Sequence, residues 1–131
     1  MPLNYGALQT LKKNTQFTVW ESAARTATIT SEDFFNPGAD GIIVTIDCTA
    51  IAATPSVVFT INGKDPASGK YYMILTSAAI VGTGTTVLRI YPGLTAVGNQ
   101  TATDVLPRDF QIKATHGDTD SITYSVGAVM L

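Results

Sequence analysis

From Gln16 onward, apolar and polar positions alternate with a period of two, the signature of strands with one buried face. Phe17, Val19 and Trp20 mark a first strand. Residues 25–30 (RTATIT) mark a second, rich in the Thr and Ile that suit a pleated surface. Ile42, Val44, Ile46 and Cys48 then share one face, and Ile43, Thr45, Asp47 and Thr49 the other. Val57, Phe59 and Ile61 repeat the pattern. In KYYMILT, Tyr72 and Ile74 oppose Tyr71, Met73 and Leu75. TTVLRIYPG is a further strand. Phe110, Ile112 and Ala114 alternate with Asp109, Gln111, Lys113 and Thr115, and Ile122, Tyr124 and Val126 line the last strand.

Turn chemistry separates these runs. Asn36-Pro37-Gly38 punctuates a loop over 31–41, Thr54-Pro55 breaks the chain after the third strand, and Pro92-Gly93 ends another. Residues 94–108 show no clear period. Roughly seven or eight strands at this spacing predict an all-β chain. The expected architecture is a single-domain antiparallel β-sandwich over 16–131, jelly-roll or immunoglobulin-like. Hairpins are expected at 56–76 and 109–131. Residues 1–15 read as an irregular N-terminal arm.

The stretch GKDPASGKYY, starting at Gly63, approaches the phosphate-binding loop pattern of Gly, four residues, then Gly-Lys-Ser/Thr. Five residues separate Gly63 from Gly69, and Tyr71 stands where the Mg²⁺-binding hydroxyl belongs. The pattern must also open a helix, whose N-terminal amides hold the phosphates. Here both flanks are β-prone, so the stretch predicts a hairpin loop. Pro66 sets φ for the turn, and Gly69 supplies a left-handed position.

Composition narrows the functional classes. Only 14% of the 131 residues are charged, with a net charge of −2. Soluble domains carry about a quarter charged residues. A neutral surface rich in Thr, Ala, Ser and Gly suits contact with other subunits. The mildly acidic balance leaves no basic strip for nucleic acid. Cys48 is alone, so no disulfide forms within the chain. No apolar signal segment and no membrane-length apolar run is visible, which points to a chain made in a cytoplasm.

Candidate chemistry is thin. Cys48 and His116 are the single residues of their types, but Cys48 sits on an apolar strand face and His116 beside a Gly-Asp turn expected at the surface. A zinc site needs about four ligands. Asp118-x-Asp120 offers oxygens for Ca²⁺, yet Asp also closes turns through its own backbone bonds. Trp20, Tyr71, Tyr72, Tyr91 and Tyr124 could stack a sugar, although strand aromatics more often serve core or interface. No catalytic residue, cofactor or metal is expected. Two features suggest contacts with other proteins. One is the hairpin tip, with Lys64, Asp65, Pro66, Lys70 and the outward Tyr71. The other is the arm, with apolar anchors Leu3, Tyr5, Leu8 and Leu11.

Over roughly residues 40–131, the blocks GKDPASGKYY, YPGLT, DVLPR and SITYSVGA together resemble small proteins encoded among the structural genes of tailed bacteriophages. Residues 1–39 carry no such likeness. The resemblance implies a virion structural protein. The favoured expectation is a capsid decoration, or cement, protein on the shell exterior, bound to the major capsid protein and self-associated as a homotrimer. A tail, neck or baseplate component and a carbohydrate-binding host-attachment module are the alternatives.

Overall fold

The structure, a computed structural model, describes residues 14–131. The arm anchors Leu3, Tyr5, Leu8 and Leu11 lie outside the described residues. Within the described residues the alternation becomes burial as expected. Ile42, Val44, Ile46, Val57, Phe59, Ile61, Ile112, Ile122, Tyr124 and Val126 are fully buried.

One five-stranded sheet has the order β1 (Thr15–Arg25), β10 (Ile122–Met130), β4 (Ile42–Ile51), β7 (Gly84–Ile90), β8 (Thr101–Ala102). The facing sheet has the order β2 (Ile29–Thr30), β9 (Asp109–His116), β5 (Val57–Lys64), β6 (Tyr71–Thr76), with β3 (Phe34–Phe35) also on β9. All pairings are antiparallel except β7 with β8. The core lies between the sheets. Phe34 helps join them, 4.9 Å from Phe17 of β1 and 5.6 Å from Phe110 of β9.

Setting aside the two-residue β3 and β8, the strand pairs are nested: β5 with β6, β4 with β7, β2 with β9, β1 with β10. That is one long hairpin, tipped by β5–β6 and wrapped into two sheets. It is the jelly-roll connectivity, and it decides between the two expected sandwiches. It also corrects the 109–131 hairpin. β9 and β10 are consecutive, but they belong to opposite sheets, and 117–121 is a corner between layers. Local turn chemistry is the same for a hairpin and a corner, so alternation alone could not separate them. The 56–76 hairpin is present.

Other differences are local. β1 runs through Arg25, leaving Ile29–Thr30 as all of the expected second strand. Arg25 turns inward onto Tyr124, so the chain leaves the sheet there. The 31–41 loop contains β3, and the aperiodic 94–108 segment contains β8. Gln111, on the expected polar face, is buried.

Candidate interface surfaces

The tip of the β5–β6 hairpin is built by its own sequence. Asp65 accepts bonds from the Ser68 hydroxyl (2.6 Å) and the Ala67 amide (3.1 Å); the first, then the second, holds its carboxyl below the usual range. The Gly69 amide donates to the Asp65 carbonyl at 2.8 Å, and Gly69 takes φ +75°, where a side chain is strained. The loop's amides close on the loop itself and no helix follows, so it offers no phosphate cradle.

Asp33 anchors the tip from outside. Its carboxylate receives Lys64 Nζ at 2.8 Å and the Tyr71 hydroxyl at 2.6 Å. Lys64 first, then Tyr71, holds the Asp33 carboxyl below the usual range, and the same pairing raises Lys64. Lys64 Nζ also lies 5.6 Å over the Tyr71 ring. Two residues expected to be free contacts are therefore partly engaged inside the molecule, while Pro66 and Lys70 are exposed. Sequence reasoning missed Asp33. It lies 31 residues from Lys64, and a lone acid in a loop carries no periodic signal.

Tyr71 and Tyr72 do take opposite faces, but both are exposed, at 44% and 49%. Tyr71 faces outward opposite Lys64. Tyr72 lies across buried Gly63 on the inner side, where a Cβ at Gly63 would meet the ring at 2.5 Å. A register shift between Ile61 and Asn62 follows, leaving Met73 60% exposed and Leu75 buried.

The outer face of the β10–β4–β7 sheet is nearly neutral. Val129, Ile43, Gly127, Thr45, Val87 and Ser125 present short side chains there. Asp47 and Arg89 are the charged residues among the outward positions of those three strands. At the end of this sheet a largely apolar groove of about 390 Å³ is lined by Ile42, Ile43, Ile90, Tyr91, Leu94 and Leu131, together with Arg89.

The residues weighed for chemistry are engaged elsewhere. Cys48 is buried, its thiol pushed up by burial, with its Sγ 3.8 Å from the Ala50 carbonyl. His116 is half-buried rather than at the surface. Its Nε2 sits 3.0 Å from the Tyr124 hydroxyl, and Nδ1 is buried without a partner. Asp118 accepts from the Asp120 amide at 3.0 Å and closes its turn, while Asp120 accepts from the Thr54 amide at 3.1 Å and ties that turn to a loop 66 residues away. Among the described residues no group of three or more His, Cys, Asp or Glu is placed to hold a metal. The aromatics disperse. Trp20 and Tyr124 meet edge to face at 6.4 Å, Tyr71 and Tyr72 sit on the hairpin, and Tyr91 lines the groove.

No family model matches the chain, and no curated protein matches it. Among solved structures, the fold is similar to the crystal structure of the SPBc2 prophage-derived protein YomS. The TM-score is 0.52 at 16% identity, covering 89% of this chain and 92% of that one. At that identity the likeness concerns the fold, and it extends over both sheets.

Proposed function

We propose that this chain is a bacteriophage virion structural protein. Its most specific role in this reading is capsid cement, bound outside the expanded shell and bridging neighbouring major capsid proteins. The observation that carries the reading is the fold likeness to a prophage-derived protein over nearly the whole chain. The nearly neutral outer face is a second support, because covering it strands few charges.

The mechanism is mechanical. Packed genome strains the joints between capsid subunits, and a protein spanning a joint adds buried area across it. A homotrimer in obligate-type contact buries on the order of a few thousand Å². Binding only the expanded shell stabilises that state by mass action. The hairpin tip suits such a contact. Its backbone is set before binding by Asp65, Gly69 and Asp33, so little ordering cost remains. Dispersal of the aromatics weighs against the sugar-binding alternative, which needs coplanar rings in one groove.

The test is the copy number of this chain per purified particle, by quantitative mass spectrometry against the major capsid protein. A ratio near one to one is expected. A handful of copies would remove the cement role and assign the chain to neck, tail or baseplate.

A further inference from the structure

We infer that His116 is an acid-opened latch at one end of the sandwich, closed while its imidazole is neutral and released, together with the second half of β1, when the ring is protonated. Two crossings between the sheets meet at this end. Residues 26–28 carry the chain from β1 to β2, and 117–121 carry it from β9 to β10. His116 ties them together. Its amide donates to the Thr28 hydroxyl at 3.0 Å, and its Nε2 lies 3.0 Å from the Tyr124 hydroxyl on the opposite sheet. Arg25 closes the same spot from β1. It donates to the Tyr124 carbonyl at 2.7 Å, with its guanidinium 4.6 Å over the Tyr124 ring.

The surroundings of the ring suit one charge state. In either neutral tautomer Nε2 can pair with Tyr124, because a hydroxyl both donates and accepts. Nδ1 is buried without a partner. Protonation makes it a buried donor on a charged ring with no acceptor, which is the costly case. From β1, Arg25 already places a cation against the phenol ring that His116 packs on. From β10, Tyr124 supplies no charge, since burial pushes its hydroxyl up to about 12. In the corner, Asp118 favours the imidazolium, but it counts for less than burial and Arg25. The neighbours from β5 and the turn before it are Val57 and Ser56, and residues 26–28 are Thr, Ala and Thr, all uncharged.

Opening is local because β1 is weakly held here. Register shifts interrupt its pairing with β10 on both sides of Trp20, leaving Ala23, Ala24 and Arg25 as its last regular pairs. The ring is only half-buried, so the imidazolium reaches water by swinging outward. The Tyr124 tie is lost, and the Arg25 and Thr28 ties beside it loosen. The ladders of β4 with β7 and β5 with β6 involve none of these residues. The sign follows from the neutral preference. The latch is closed above the ordinary imidazole value of about 6.5 and opens as pH falls through the lower value of the folded chain. This inference concerns the isolated chain and does not depend on the virion reading.

The chain has one Trp and one His, so both sides of the latch can be followed in the unaltered full chain. Trp20 meets Tyr124 edge to face at 6.4 Å with Arg25 6.0 Å over its ring, so its emission reports opening. The His116 ring-proton resonance reports charge. The experiment titrates both from about pH 8 to about pH 5. The expected result is a red shift of Trp20 emission whose midpoint coincides with the His116 titration. Amide protection should fall at Ala23, Ala24 and Arg25 and hold at Ile46 and Ile61. His116→Gln should abolish the red shift. A change in intensity with no red shift would overturn the latch as mere quenching by the imidazolium. Separate midpoints for Trp20 and His116 in the unaltered chain would overturn it without any variant. A red shift that survives in His116→Gln would assign it to the carboxylates, and loss of protection at Ile46 and Ile61 in step would assign it to global unfolding; either overturns the inference.

Discussion

At the scale of single residues, two buried glycines make unequal demands. Gly41 is buried at the start of β4, and a Cβ there would lie 2.0 Å from the Ile90 carbonyl oxygen. That neighbour is backbone and cannot swing away, so Gly41→Ala should cost about 3 kcal/mol, read as a denaturant midpoint shift. Gly63 meets only the far end of the exposed Tyr72 ring, so Gly63→Ala should cost less than ~1 kcal/mol, with the ring turned outward. His116 makes a pH prediction. Burial first, and then the Arg25 charge, lowers its pKa from the ordinary value, while Asp118 acts in the opposite sense. The folded state therefore favours neutral imidazole. Stability is full above the unfolded value of about 6.5 and falls as pH drops from there through the lower folded value. Denaturant midpoints followed from neutral to acid pH should show this loss, and His116→Gln should flatten it. A slope that survives in the variant would assign it to other groups.

At the scale of elements, β1 is the edge of its sheet and is held differently along its length. Its first half pairs regularly with β10, while register shifts follow between Thr18 and Trp20 and between Trp20 and Ala23. Such bulges twist an edge away from unwanted pairing. Its last residue compensates. Arg25 donates to the Tyr124 carbonyl at 2.7 Å and to the Glu21 carbonyl at 2.7 Å, and it stacks 4.6 Å over the Tyr124 ring. Arg25→Lys should keep the charge yet lose the fork and the stacking, because an ammonium cannot reproduce planar contacts. The expected outcome is faster amide exchange over residues 20–25, with exchange in β5 and β9 unchanged. The hairpin tip gives the matching test. Asp33→Asn should leave thermal stability almost untouched, since exposed ion pairs contribute little, yet loosen the tip. Faster exchange at the Asp65 amide would report it, and unchanged exchange would show that the loop's own bonds suffice.

At the scale of the whole molecule, the core joins two sheets whose strands come from distant parts of the chain. β1 pairs with β10, so the first and last strands close the wrap. Ile46 and Phe59 sit at 0% exposure on facing sheets. Ile46→Ala should cost about 2–5 kcal/mol through lost burial and the cavity left behind. Because the pairs are nested, that loss should appear as one cooperative transition in both sheets, seen by probes in β4 and β5 together. Separate transitions would show that the sheets unfold independently.

The period-two alternation by itself determined the strand class and which faces turn inward, because a strand's two faces are decided by hydrophobicity at neighbouring positions. Ile42 to Cys48 were legible for that reason, as were Phe110, Ile112 and Ala114, but not the burial of Gln111 between them. The turn residues of GKDPASGK likewise determined a hairpin tip rather than a phosphate loop, because the needed bonds are local to Asp65 and Gly69. Only the tertiary structure decided which strands are neighbours, because a hairpin and an inter-sheet corner use the same turn chemistry. For the same reason it alone brought Asp33 to Lys64 and Tyr71, placed His116 against Tyr124, and opened a groove beside Leu131. Contacts between residues far apart in sequence leave no periodic mark on the chain.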